Sequence, residues 1–167
     1  SAGFVRLNVL AETGQNYTWL DALQILGTAV SGLLVLILSG AGGKAFVSGA
    51  DISKFETERA SVEAVAQYNA ATKRVYDSIE AFPTPTIAQI DGYCIGGGVA
   101  LSLSCDLRIC GEKSQFAVPA AKLGLGYGYE GITRLVNVVG PTFAKEIFFT
   151  ARRFTSAEAK DMGLVNR

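Results

Sequence analysis

Six consecutive apolar residues, Leu33-Leu34-Val35-Leu36-Ile37-Leu38, run without a polar break into Ser39-Gly40-Ala41-Gly42-Gly43. A run this short, closed by glycine, reads as a strand covered on both faces. Such a strand needs packing layers above and below it, and the rest of the chain supplies them in alternation. Phe4 to Leu7 reads as a short strand, and a weak helical pattern surrounds Trp19 to Leu26. Ser61 to Phe82 is the clearest helix: Val62, Val65, Asn69, Thr72, Val75, Tyr76, Ile79 and Phe82 recur at three and four. Ser61 suits its N-cap, Glu63 suits its positive end, and Pro83 and Pro85 stop it.

Strands are expected at Thr86 to Ile90, Tyr93 to Ile95, Leu107 to Cys110 and Gln115 to Val118. The first two are separated by an Asp91-Gly92 turn. An apolar helix is expected at Val99 to Cys105. Later helices are expected at about Gly131 to Val139, Pro141 to Thr150 and Ser156 to Met162. Thr155 with Glu158 makes a capping box, and Gly163 fits the C-terminal cap. Strands alternating with helices define the class as α/β. The 167 residues suit one domain, and no linker or low-complexity tract divides them.

Composition narrows the chemistry. The chain has no histidine, which excludes Ser-His-Asp and Cys-His triads and His-ligated zinc within it. No metal site is expected. Fifteen basic residues balance fifteen acidic ones, so the surface lacks the surplus that general phosphate binding requires, and no nucleic-acid partner is expected. Cys94, Cys105 and Cys110 lie in apolar stretches without C-x-x-C spacing and read as buried, reduced thiols. No stretch approaches the roughly 18 unbroken apolar residues of a membrane span, and no signal peptide is visible. The expected location is cytoplasmic, or the mitochondrial matrix in a eukaryote.

Two glycine-bearing turns carry the chemistry. One is Lys44-Ala45-Phe46-Val47-Ser48-Gly49-Ala50-Asp51-Ile52 and the other is Ile90-Asp91-Gly92-Tyr93-Cys94-Ile95-Gly96-Gly97-Gly98. Each follows an apolar strand and enters a helical segment. A helix start leaves N–H groups without partners, and glycine lets a ligand approach them. Two such turns facing one point would hold a developing oxyanion. Taken singly, either set of glycines serves close strand–helix packing equally well. Gly126-x-Gly128-x-x-Gly131 matches a dinucleotide fingerprint in form only, because no strong strand precedes it. Phe143, Ile147, Phe148 and Phe149 read as core or subunit contact.

These two turns, followed by Cys105-Asp106-Leu107-Arg108-Ile109, resemble the enoyl-CoA hydratase/isomerase (crotonase) superfamily. Phe116 to Arg134 and Phe154 to Asn166 fit its later segments. The resemblance runs from about Leu33 to Arg167. The family's asparagine-containing early segment is not recognisable between Asn8 and Asp21. The resemblance implies a spiral of repeated ββα turns, here with a short helical C-terminal region. Residues 1–167 would form one crotonase-like domain lacking the family's last C-terminal helices. It implies an acyl-CoA substrate, with coenzyme A as part of it and no permanently bound cofactor. The thioester enolate would be held by the N–H groups of Ala50 and Gly97. Ser48, Asp51, Ile52 and Ser53 would line the thioester and pantetheine, with Asp51 suited to capping a helix. Lys44 or Lys54 would meet CoA phosphates or stand as solvated surface lysines. A homotrimer or dimer of trimers is implied.

The departures from the family pattern also matter. Family hydratases carry glutamate at the positions that match Ala100 and Ala120, and alanine performs no acid/base chemistry. Ordinary hydratase activity is therefore not expected. Replacements lie in Gly124 to Gly131. Tyr127 matches in position a tyrosine of the methylmalonyl-CoA decarboxylase branch, although that branch carries histidine where this chain has Ala50. Glu130 is the loop's only carboxylate. If partly buried it would serve as a proton carrier, and otherwise it would cap the next helix. Lyase or isomerase chemistry on an acyl-CoA is the resulting expectation. Its rivals are a non-catalytic CoA-binding or assembly module and an RNA-binding homologue, the latter disfavoured by the zero net charge.

Overall fold

The computed structural model describes residues 5–9, 35–49 and 61–167. Their order is β1 (Val5–Val9), β2 (Leu36–Gly40), β3 (Ala45–Val47), α1 (Val62–Glu80), β4 (Thr86–Ile90), β5 (Tyr93–Ile95), α2 (Gly97–Leu103), β6 (Leu107–Cys110), β7 (Gln115–Ala117), α3 (Tyr129–Thr150), β8 (Phe154–Thr155) and α4 (Ser156–Asp161). Short 3-10 turns occupy Ala41–Gly43 and Pro119–Leu123.

The strands divide between two sheets. One has the order β1-β2-β4-β6 and the other β3-β5-β7-β8. From β2 to β7 successive strands alternate between them, so β2, β4 and β6 each hand the chain to β3, β5 and β7. The first sheet is parallel throughout, and β8 alone runs antiparallel in the second. Parallel neighbours in one sheet require the chain to leave and return, and helices α1 and α2 make those returns. The result is the expected ββα spiral with a helical C-terminal region.

Periodicity located the elements well, with instructive exceptions. Among the described residues of the apolar run the strand begins at Leu36, and it continues two residues past the run, to Gly40. Leu36 and Leu38 are buried while Ile37 is half-buried, so the two faces are not equally covered. Gly40 carries the strand on because it has no side chain: a Cβ there would lie 1.9 Å from the Ala45 carbonyl oxygen. Ser61 caps α1 as expected, its hydroxyl accepting from the Ala64 N–H at 3.1 Å. The stripe on α1 is buried only toward its C-terminal end, at Val75, Tyr76 and Ile79, and Val62 is 81% exposed. The two helices expected after residue 131 form one element broken at Gly140 (φ 75°), with Pro141 restarting it. The capping box of Thr155 and Glu158 is present.

The core joins both sheets through Leu36, Ile90, Cys94, Phe116, Ile147 and Phe154. Arg108 is the buried exception. Its guanidinium donates to the carbonyls of Leu164 at 2.9 Å and Cys105 at 2.8 Å. The Asn166 N–H donates to the Arg108 carbonyl, and the Asn166 Oδ1 accepts from the Arg108 N–H, both at 2.8 Å. The C-terminal residues are thereby fastened along β6. Asp106, at the strand's start, accepts from the Thr86 N–H and hydroxyl, which holds its carboxyl below the ordinary carboxylate value.

The thiols are free, and burial pushes Cys94 and Cys105 up to about 12 from an ordinary 9.0. The folded state therefore keeps two protons that the unfolded chain releases above pH 9. Stability is expected to be untouched by these groups below pH 9 and to fall between pH 9 and 12, by up to about 1 kcal/mol per pH unit for each thiol. Urea unfolding at stepped pH checks this against a variant carrying Cys94→Ala and Cys105→Ala, whose loss over the same window should be smaller.

Candidate active site at two glycine turns

Strand β3 ends at Val47 and is followed by exposed Ser48 and by Gly49, which has φ 117°. Strand β5 ends at Ile95 and turns through Gly96 (φ 54°, ψ −108°) into α2. Those backbone values at Gly49 and Gly96 are costly for a residue with a side chain. The two turns touch. A Cβ at Gly98 would lie 2.3 Å from the Val47 carbonyl oxygen, and one at Gly49 would lie 3.8 Å from the Ile95 carbonyl oxygen. The stretch that leads to Ala50 is thus pressed against the start of α2.

The amides at this junction divide their work. Gly96 N–H donates to the Ala117 carbonyl at 2.8 Å, tying the turn to β7. Gly97 N–H opens the helix and has no carbonyl partner among the described backbone groups. Among the described residues outside the start of α2 itself, a Cβ at Gly97 would meet nothing closer than the Tyr76 hydroxyl, at 3.9 Å. Pro119 Cδ lies 4.0 Å from the corresponding point at Gly96. The 3-10 turn bearing Ala120 therefore adjoins the same junction. Ala100 and Ala120 are both buried, at 7% and 5% exposure.

Of the residues expected in the site, Gly97, Ser48 and Lys44 are described, whereas Ala50, Asp51, Ile52, Ser53 and Lys54 lie outside the described residues. Lys44 has an exposed side chain, and its carbonyl accepts from Tyr93 N–H at 3.2 Å. Tyr127 is half-buried. Its ring meets Phe148 edge-on at 4.9 Å and 80°, and burial followed by the neighbouring Tyr68 raises its hydroxyl above the ordinary value.

Glu130 differs from both readings made of it. Its side chain is 55% exposed and lies 3.3 Å from Lys73 Nζ, so the condition of partial burial is not met. It is not a cap either, because Gly128 holds the N-cap of α3 with no side-chain bond and Glu130 sits in the helix's first turn. The sequence places it in a glycine-rich loop, but the helix begins earlier, at Tyr129. The Gly126-x-Gly128-x-x-Gly131 pattern follows a 3-10 turn rather than a strand, and Gly131 lies within α3, against the Tyr127 ring.

Tyr76 is the residue that sequence reasoning passed over. It reads as one more position on the apolar face of α1, and nothing in the local pattern marks its hydroxyl. Only the tertiary fold brings that hydroxyl to Gly97. Burial, then Tyr127 and Tyr68, raise it well above the ordinary value, with Arg134 opposing. The Arg134 guanidinium sits 5.3 Å from the Tyr76 ring centroid.

The sequence profile of the family described as Enoyl-CoA hydratase/isomerase matches residues 20–167. The chain belongs to that family. It is 38% identical over 137 residues to the short-chain-enoyl-CoA hydratase of Clostridium acetobutylicum, covering 82% of this chain and 52% of that protein. It is 39% identical over 143 residues to the peroxisomal Delta(3,5)-Delta(2,4)-dienoyl-CoA isomerase of Arabidopsis thaliana, covering 80% and 51%. A solved enoyl-CoA hydratase/carnithine racemase of Magnetospirillum magneticum superposes with a TM-score of 0.90 at 32% identity, over 100% of this chain and 65% of that one. The chain spans about half the length of the curated relatives it matches. Among the described residues, no helix is long and apolar enough to cross a membrane.

The junction makes a sharp demand on Gly98. Gly98→Ala is expected to lower unfolding stability by about 3 kcal/mol, because the added carbon must displace backbone. Gly126→Ala has nothing within 4 Å of its new carbon and should change stability by less than about 1 kcal/mol. Equilibrium urea unfolding of the two variants checks the contrast.

Proposed function

We propose that this chain forms the thioester-handling part of an acyl-CoA enzyme, with the N–H groups of Gly97 and Ala50 as the donors to the thioester oxygen. The observation that carries the reading is the contact of Gly98 with Val47. It brings the segment ending at Gly49 to the turn where Gly97 N–H has no backbone partner among the described residues. Two preorganised donors of this kind stabilise a developing enolate oxygen, each contributing on the order of 3 kcal/mol to the transition state. Ser48, Asp51, Ile52 and Ser53 would flank the thioester and pantetheine, and Lys44 is exposed and free to meet a CoA phosphate.

The family's hydratases and isomerases need a group to move a proton once the carbonyl is polarised. The resemblance places the hydratase glutamates at Ala100 and Ala120, and neither methyl group does that work. Tyr127 is the better-placed substitute within the Gly124 to Gly131 stretch. It is half-buried and is an electrostatic neighbour of Tyr76, whose hydroxyl adjoins Gly97. Glu130 faces solvent and Lys73. Lyase chemistry assisted by Tyr127 is therefore favoured over isomerisation through Glu130. Coenzyme A enters as part of the substrate, and the reading needs no other cofactor. Exposed Phe149 and Phe143 on α3 support assembly into a trimer or a pair of trimers.

The buried methyl groups of Ala100 and Ala120 favour a second reading, a family member that binds CoA esters without turning them over. Turnover of a panel of acyl-CoA esters, run beside calorimetric binding, decides between them: binding without turnover of any ester establishes the second reading. If the first holds, Gly97→Pro should cut turnover by about a hundredfold or more. It removes the donor while occupying a first helical position that has room for a side chain. Unchanged turnover would contradict the assignment. Under the same assay, Tyr127→Phe should lower the rate by about a hundredfold, and Glu130→Gln by less than about tenfold.

A further inference from the structure

The geometry points to the Tyr76 hydroxyl as a further hydrogen-bond donor to the thioester oxygen, acting beside the Gly97 amide. This inference rests on the acyl-CoA reading above and names a residue that neither the glycine motifs nor the loop contains.

Position comes first. The hydroxyl oxygen lies 3.9 Å from where a Gly97 Cβ would stand. A Cβ is about 2.5 Å from its own amide nitrogen, which keeps the hydroxyl no more than about 6.4 Å from the Gly97 nitrogen. Two donors sharing one acceptor, each about 2.9 Å from it, stand at most about 5.8 Å apart. A single oxygen reaches both over most of the separations this allows. Among the described residues outside the start of α2 itself, the hydroxyl is the atom nearest to the vacant Cβ position.

The chemistry of the group fits the role. A phenol is a neutral donor, so it adds no charge that would have to be desolvated when the substrate is absent. Burial and the two neighbouring tyrosines disfavour its ionised form, so it keeps its proton at neutral pH. A neutral buried donor aimed at a forming enolate oxygen works by the same principle as a backbone amide. Among the described residues, no hydrogen bond engages the hydroxyl, which leaves it free to turn toward a ligand.

The ring itself is held. Arg134 lies over one side at 5.3 Å, and Arg134 is in turn tied to Glu80 and, at 3.3 Å, to Asp77. Both carboxylates sit on α1, the helix that bears Tyr76. A donor fixed before the substrate arrives costs less to organise at the moment of reaction.

The test reads polarisation directly. A cinnamoyl-CoA thioester absorbs at longer wavelength when donors pull on its carbonyl oxygen. The purified protein should bind it with a red shift. Tyr76→Phe should bind it within a few-fold of the wild-type affinity while losing about half of that shift or more. A merely structural role for Tyr76 predicts the full shift in every folded variant, and an undiminished shift in Tyr76→Phe overturns the inference. Replacement of Tyr76 by 3-fluorotyrosine keeps the ring's shape and makes the hydroxyl a stronger donor. It should enlarge the shift, and it decides the matter if Tyr76→Phe does not fold, since an unchanged shift there also overturns the inference. A wild-type protein that fails to bind the thioester, or binds it without any shift, refutes the acyl-CoA reading itself and takes this inference with it.

Discussion

Backbone packed against backbone at Gly98 is the contact on which the rest of the site depends. A Cβ there would fall 2.3 Å from the Val47 carbonyl oxygen, well inside any van der Waals distance. The same device recurs at Gly92, where a Cβ would stand 2.1 Å from the Lys44 carbonyl oxygen, and at Gly40 beneath Ala45. All three positions bring β3 or its flanks against another part of the chain. Strand β3 has only three residues and pairs with β5 through a register shift, so its ladder bonds alone give it little hold. Close packing at three glycines fixes its position instead. The turn after β3 reaches the start of α2 only because of that.

Two sheets whose strands alternate along the chain make this arrangement a consequence of topology. Strand β4 delivers the chain to β5 through Asp91 and Gly92, and β6 delivers it to β7 through the 111–114 turn. Each passage moves the backbone from one sheet to the other; α2 returns it after β5, whereas after β7 the chain stays in the second sheet as β8. Residues 48–49 after β3 and the turn after β5 consequently lie at the same end of the second sheet, because β3 and β5 are parallel neighbours there. Functional loops at one end of adjacent parallel strands are a general result of this geometry. Arg108 fastens the segment that follows α4 by donating to the Leu164 carbonyl, and its part is structural.

Most of the fold was legible because the elements announce themselves locally. Thr86–Ile90 and Tyr93–Ile95 match their expected bounds, as do Ser61's cap and the Thr155–Glu158 box. Apolar period, caps and prolines are properties of a few neighbouring residues. Depth of burial is not such a property. Val62 continues the stripe of α1 yet is exposed, because periodicity marks a face without saying what covers it. Glu130 shows the same limit for charge. Its position near the glycines of the loop suggested shelter, but the helix begins one residue before it and turns its carboxylate toward Lys73. Gly97 was legible through its motif. Tyr76 was not, since its relation to Gly97 spans a helix, a loop and two strands.

The pairing of α1 with α3 shows why the aromatic groups stand where they do. Lys73 and Asp77 on α1 meet each other, and Lys73 also meets Glu130 on α3. Arg134 on α3 reaches back to Asp77 and Glu80. Most of these side chains are half-exposed, and ion pairs of that kind contribute little individually. Their value lies in register. The charges lie along one seam between the helices, with Tyr76 beneath Arg134 and Tyr127 held between Gly131 and Phe148. Sliding either helix by one turn would break every pair between them at once and carry the phenol of Tyr76 away from the glycine turn. Burial of the aromatic rings supplies the attraction, and the charges select the one alignment in which a hydroxyl meets the space beside Gly97. Gly96 and Gly98 serve the close turn, and a glycine between them leaves the hydroxyl an open line to whatever the amide binds.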